Sequence, residues 1–200
     1  MSFRKEKKFM LTKSQIYEVK KNLNLLGMKE LYSERKISSI YFDNKNFDIY
    51  KDSEEGVLPR KKIRVRWYNK KKEFNKEIKI SSHEGRFKVN EKLDLIDNKK
   101  NIEKLIFFDQ IYGSLSAKIL INYNREYFTF KHLRITFDND ISYTNLKDIN
   151  YTNYNENFCV MEIKSEFKTS DDYIEKIFNY TNSRFSKYCN GINNLNLLIY

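Results

Sequence analysis

Alternation with a period of two runs through most of this chain, and it restricts the fold more than any other feature. In 61–68, KKIRVRWY, Lys62, Arg64, Arg66 and Tyr68 fall on one side, with Ile63, Val65 and Trp67 on the other. In KEIKIS, Glu77 and Lys79 oppose Ile78 and Ile80; in LRITFD, Arg134, Thr136 and Asp138 oppose Leu133, Ile135 and Phe137. VMEIKSEF sets Glu162, Lys164 and Glu166 against Met161, Ile163 and Phe167, and RKEKKF repeats the pattern with Arg4, Glu6 and Lys8. Such segments are strands with two unlike faces. Further strands are predicted at 37–42 and 117–123. Helical spacing is predicted after Thr12 or Ser14 (Ile16, Val19, Leu23 and Leu26, ending near Gly27). It recurs over 101–112 (Ile102, Leu105, Ile106, Ile111), after Asp171 or Asp172, and from Ser186. Residues 140–157 read as a long loop with at most short strands.

The expected architecture is α+β, mainly β: a closed antiparallel barrel of about eight strands with amphipathic helices packed outside. Closure would bring the charged faces to one axis, forming a basic tunnel. Two like charges about 5 Å apart repel by roughly 3 kcal/mol at an effective dielectric of 20, so such an interior calls for anions. With 38 Lys+Arg against 27 Asp+Glu, the net charge is +11, and the preferred partner is an anion. Arg forks fit phosphate oxygens bidentately, and glutamates among them can hold Mg²⁺ or Mn²⁺ that also bridges phosphates. The Arg60–Lys62 run and Lys70–Lys72 read as solvated hairpin ends, and Lys5 and Lys7 as solvent-facing.

Composition excludes other classes. Hydrophobic residues make up 40% with one Pro and five Gly, which argues against disorder. No apolar run approaches the ~18 residues of a membrane span, and the N-terminus lacks the apolar stretch of a secretory signal. Two cysteines build neither a disulfide framework nor a Cys-rich zinc site. The expectation is a single domain over 1–200, reduced and cytoplasmic. Gly-rich phosphate loops and kinase signatures are absent, so any ATP would be held by side-chain cations.

The succession RKEKKF, SSIYFDNKNFDIY, KKIRVRWY, KEIKIS, INYNREYF, LRITFDND, VMEIKS and RFSKYCNG resembles the VTC domain, in matching order over about residues 3–192. That is the polyphosphate polymerase domain of the vacuolar transporter chaperone family, within the triphosphate tunnel metalloenzyme (CYTH-like) superfamily. The resemblance implies an ATP-dependent polyphosphate polymerase that transfers the γ-phosphate of ATP to a growing chain with Mn²⁺ or Mg²⁺. It places Arg64, Arg66, Lys79, Arg125, Arg134 and Lys187 among the catalytic cations. Lys8, Lys88 and Lys164 join them as phosphate-binding residues. Glu162 is the implied metal ligand, with Glu6 and Glu77 as further candidates. The partners are ATP and polyphosphate, with no nucleic acid; a membrane partner stays open. Two alternatives remain: a metal-dependent tripolyphosphatase on the same fold, and a non-catalytic module binding polyphosphate or nucleic acid.

Overall fold

A computed structural model describes residues 4–69, 73–94 and 98–198. Lys70–Lys72 lie outside the described residues. Contacts divide the chain into two compact units. One holds the residues to Arg35, Tyr123–Ile141 and Glu156–Phe185; the other holds Lys36–Asn122, Ser142–Asn155 and the chain from Ser186 on.

In the first unit, β1 (Arg4–Leu11) pairs antiparallel with β10 (Cys159–Glu166), which pairs antiparallel with β8 (Leu133–Asn145). The α1 helix (Lys13–Leu25) starts at a capping box. Gln15 N donates to Thr12 Oγ1 at 3.2 Å, and Thr12 N donates to Gln15 Oε1 at 2.8 Å. It ends at Gly27, whose φ of +92° lets Met28 N return to Leu23 O at 2.8 Å. The buried face Ile16, Val19 and Leu23 meets Phe9, Leu11, Ile135, Phe137, Met161 and Ile163. Ile135, Phe137, Met161 and Ile163 occupy the apolar phase read from the sequence, whereas Phe9 and Leu11 share the phase of Lys5 and Lys7, which was read as solvent-facing. Ser170, rather than Asp171 or Asp172, caps α4 (Asp171–Ile177), and the two aspartates lie in its first turn. Lys5 and Lys7 lie on the α4 side rather than facing open solvent. Lys7 Nζ is 2.9 Å from Glu175 and 3.6 Å from Asp171.

The second unit carries α2 (Asp48–Glu55), β3 (Arg60–Tyr68), β4 (Asn75–Ser82), β5 (Gly85–Lys92) and α3 (Lys99–Glu103). It also holds β6 (Ile106–Asp109), β9 (Asn153–Asn155) and α5 (Lys187–Asn194). Two long strands, β2 (Lys29–Asp43) and β7 (Gly113–Phe130), contribute residues to both units, as β8 does. Ile40, Phe42, Ile63, Val65, Leu115, Ile119 and Tyr143 are buried, with Tyr188 and Ile192 of α5. Gly191 makes the α5 packing possible, because an added Cβ would overlap Ile119 and lie 2.8 Å from the Tyr143 ring. Asp43, fully buried, accepts from the amides of Asn44, Ile49 and Tyr50 and from Tyr188 Oη at 2.6 Å. Burial raises its carboxyl pKa against those four bonds. It thus supplies the cap that Phe47, with no side-chain cap bond, does not give α2. Lys118 is another buried charge, 5.1 Å from the Phe47 ring centroid and 3.0 Å from Ser116 Oγ.

The strand path runs β1-β10-β8-β7-β2-β3-β4-β5, with β6 on β7 and β9 on β8. The mainly β, antiparallel class and the eight-strand path agree with the sequence reading. Closure does not: among the described residues β1 and β5 end the path and form no ladder with each other. Strand β5 exposes Arg86, Lys88, Asn90, Glu91 and Lys92, a charged edge of the kind that discourages further pairing. Alternation reports which face of a strand is apolar, not whether the outer strands meet.

The helix expected over 101–112 is also corrected. Only Lys99–Glu103 is helical, and Ile106–Asp109 is strand. Ile106 and Phe108 are exposed, whereas Phe107 packs on Phe42 with centroids 4.7 Å apart and Asp109 is buried. That is period two, hidden beneath a coincidental i, i+3, i+4 set. The Arg60–Lys62 run lies within β3 instead of at a frayed end, with Lys61 Nζ 2.7 Å from Asp109. Within 140–157, β8 extends to Asn145 and β9 adds three residues.

Candidate functional site

Each unit holds a buried glutamate ringed by cations. In the second unit, strand register builds the face row by row. Tyr41, Arg64, Glu77 and Asn90 form one cross-strand row; Lys62, Lys79 and Lys88 form the next; Ser39, Arg66 and Asn75 form a third. Glu77 is the hub. Its Oε2 accepts from Arg64 Nε at 2.7 Å and lies 2.5 Å from Arg64 Nη2 and 3.9 Å from Arg66 Nη1; its Oε1 accepts from Lys88 Nζ at 2.9 Å. Burial would raise this carboxyl, but Arg64, Arg66 and Lys88 outweigh it and lower the pKa to about 2. Arg66 is buried and donates from Nε to Ser39 Oγ at 3.1 Å. Lys62 donates to Ser186 Oγ at 2.8 Å. Lys79 is exposed on the same face, and Lys187 is half-buried at the first position of α5.

In the first unit, Lys8, Glu162 and Thr136 form a row across β1, β10 and β8, beside a second row of Glu6, Lys164 and Arg134. Lys164 Nζ lies 3.0 Å from Glu162 Oε1 and 3.8 Å from Glu6 Oε2, so it stands between the two carboxylates. Lys8 Nζ is 3.3 Å from Glu6 and donates to Phe185 O at 3.0 Å. Glu162 is only 7% exposed. Burial works against its charge, yet Arg125, Lys164 and Lys8 hold its pKa well below the ordinary carboxylate range. Arg125 is fixed in turn by Asp138, through Nη2 to Oδ2 at 2.7 Å and Nε to Oδ1 at 2.5 Å. Two buried polar atoms in these rows, Arg134 Nε and Thr136 Oγ1, have no hydrogen-bond partner among the described residues. Buried polar atoms are ordinarily satisfied, so the pair is available to a ligand or water oxygen.

The sequence candidates therefore gather within their units as Arg64, Arg66, Glu77 and Lys88, and as Glu6, Lys8, Arg125, Arg134, Glu162 and Lys164. Tyr41, Thr136 and Asp138 were not singled out from sequence. Their signal was available in the phase: Tyr41 shares a face with Ser39, and Thr136 and Asp138 with Arg134. Both cysteines are buried, and burial raises the pKa of each thiol.

The sequence profile of the VTC domain family matches residues 3–196. This chain belongs to that family. No curated protein matches this VTC domain. Among solved structures it is similar to a proposed adenylate cyclase from Bacillus halodurans at 14% identity and TM-score 0.60, over 96% of this chain and 97% of that one. A conserved hypothetical protein from Pyrococcus furiosus shares 11% identity at TM-score 0.58, over 94% of this chain and 99% of that one. A proposed adenylyl cyclase from Hippeastrum, described as having a dominant triphosphatase activity, shares 12% identity at TM-score 0.58, over 96% of each chain. At these identities the likeness is one of fold, and the VTC domain here has the CYTH-like triphosphate tunnel fold. No helix among its described residues is long and apolar enough to cross a membrane.

Proposed function

We propose that this VTC domain, acting as one domain over 1–200, is a polyphosphate polymerase that transfers the γ-phosphate of ATP to a growing polyphosphate chain. The observation that carries the reading is the pairing of a strongly ionised, buried Glu162 with the partnerless Arg134 Nε and Thr136 Oγ1 beside it. Phosphate oxygens would satisfy both atoms, with Lys8, Lys164 and Arg125 supplying charge. Arg64 and Arg66, held in place by Glu77 and Ser39, present a second fixed set of donors suited to triphosphate oxygens.

A divalent ion fits the donor set of the first unit. Glu162 and Glu6 are two carboxylates reaching one lysine, and among the described residues no group of three or more His, Cys, Asp or Glu forms a closed cage. Mg²⁺ or Mn²⁺ bound through one or two carboxylates takes its remaining ligands from substrate phosphate and water. Such an ion would neutralise charge on the transferred group. Glu77 suits another part, since Arg64 and Lys88 donate to its oxygens at 2.7 and 2.9 Å, whereas the lysines stand 3.3 and 3.8 Å from those of Glu6; Glu77 orients Arg64. The cations position the phosphates and stabilise charge on the equatorial oxygens, which is most of what phosphoryl transfer asks of a protein. The terminal phosphate of the chain is the nucleophile, so no Ser, Cys or His needs activation. The setting we assign is cytoplasmic.

Phosphorus NMR of the protein with ATP and Mn²⁺ tests this. A growing internal-phosphate signal alongside ADP supports the polymerase, and the signal should vanish in Glu162→Gln with the fold retained. The Hippeastrum neighbour favours a second reading, hydrolysis of a triphosphate with water as acceptor. Release of orthophosphate alone would select it. Arg66→Ala should abolish tripolyphosphate binding in calorimetry, and unchanged affinity would remove the Arg64 cluster from either reaction.

A further inference from the structure

One side chain in the Arg64 cluster holds a proton that none of its described neighbours accepts. Tyr41 lies between Arg64 and Tyr188. Arg64 Nη1 donates to Tyr41 Oη at 2.7 Å, and the guanidinium carbon is 5.6 Å from the ring centroid. The ring stacks on Tyr188, with centroids 5.1 Å apart and planes at 11°. An oxygen that accepts from Arg64 still carries its own hydrogen, and among the described residues nothing accepts it. The residue is only 7% exposed.

The charged and titratable groups around it give a one-sided field. From β3 come Arg64, Arg66 and Lys62; β4 adds Glu77 and β5 adds Lys88, both reached through Arg64. From α5 comes Tyr188, whose phenol donates to Asp43 of β2. Burial and Asp43 push the Tyr188 pKa far above its ordinary value, so Tyr188 stays neutral. Burial alone would raise the Tyr41 phenol too, but Arg64, Arg66 and Lys62 outweigh it and lower the pKa to about 8. Two of these three cations, Arg64 and Arg66, are among those expected to face a phosphate, and Arg64 touches Tyr41 directly.

We propose that Tyr41 is a phosphate-contacting residue, its Oη–H donating to an oxygen of the anion that Arg64 and Arg66 hold. The inference rests on the phosphate-binding reading of that cluster. Only the neutral phenol can donate. The phenolate is an acceptor that competes with phosphate for the same cations, so phosphate binding and Tyr41 ionisation exclude each other. As pH rises through about 8 the free protein loses this proton, and binding must restore it. Affinity for a triphosphate then falls by about tenfold per pH unit above that point, and each binding event takes up a proton.

Near-ultraviolet titration of tyrosinate absorbance, with and without saturating tripolyphosphate, reads this directly. The chain has 15 tyrosines, and Tyr41 should ionise ahead of the others. The expected result is an early step near pH 8 that tripolyphosphate removes and that Tyr41→Phe lacks. Calorimetry in buffers of different ionisation enthalpy, about one pH unit higher, should find about nine-tenths of a proton more taken up per site in the wild type than in Tyr41→Phe. An early step that persists while calorimetry records saturated binding overturns the contact and leaves the phosphate reading standing. Absence of an early step overturns it as well. Absence of tripolyphosphate binding at every pH removes the phosphate reading itself. The wild-type titrations decide the matter if Tyr41→Phe fails to fold.

Discussion

Replacing Glu77 by glutamine tests how the Arg64 cluster is held together. The carboxyl is 6% exposed, so little solvent screening applies, and its pKa falls from 4.5 to about 2 on folding. At ~1.36 kcal/mol per pH unit, that fall makes the ionised group worth about 3 kcal/mol. Because the folded value is the depressed one, the contribution is complete above the unfolded value near 4.5 and disappears as pH falls through about 2. The Glu77→Gln change keeps the side-chain shape but leaves Arg64, Arg66 and Lys88 without their shared anion. For a domain of this size, about 3 kcal/mol corresponds to a melting temperature roughly 6–12 °C lower at neutral pH. Circular dichroism melts of both proteins, with and without tripolyphosphate, measure it. The deficit should shrink when tripolyphosphate supplies the missing negative charge. A variant melting within about 1 °C of the wild type at neutral pH would refute the reasoning. So would identical loss of stability by the two proteins between neutral pH and pH 2.

Three further outcomes follow from local packing. Thr12→Ala removes one half of the α1 capping box and should cost about 1 kcal/mol, read as a lower urea midpoint with unchanged slope. Gly191→Ala drives a methyl group into Ile119 and Tyr143 and should destabilise by about 1–3 kcal/mol; a neutral result would show that α5 can shift away. Burial and the nearby Lys147 lower the Lys118 pKa from 10.5 to about 8, so its charge opposes folding at neutral pH. Lys118→Met should raise stability by about 1–2 kcal/mol after the lost Ser116 bond is counted. Wild-type stability should climb more steeply than that of Lys118→Met as pH rises from about 8 to 10.5, since the lowered Tyr41 pKa contributes a climb to both proteins and Lys118 only to the wild type.

Much of the candidate site was legible because period two assigns a side chain to a face without knowledge of its partners. Arg64, Arg66, Glu77, Glu162 and Lys164 all stand on the charged face, and Ile63, Val65, Met161 and Ile163 are buried. A cap at Thr12 or Ser14 and the stop near Gly27 were legible for a related reason, since capping involves residues only a few positions apart; the structure chose Thr12 and added Gln15. The failures have the opposite character. Ile102, Leu105 and Ile106 satisfy helical spacing, but Phe107 finds Phe42 across the sheet and makes the segment a strand. Tyr41 looks like one more strand aromatic until Arg64 and Tyr188 lie against it.

Local spacing therefore determined strand faces, one helix with its cap, and the residue types available for phosphate. Tertiary structure alone decided register, the open ends of the strand path, and which cation meets which carboxylate. Glu77 and Arg64 are 13 positions apart, and Tyr188 and Asp43 are 145 apart. Their pairing depends on which strands and helices pack together, a balance among long-range contacts that no local period encodes. The same contacts set the field that lowers the Tyr41 pKa, which no reading of neighbouring residues could have supplied.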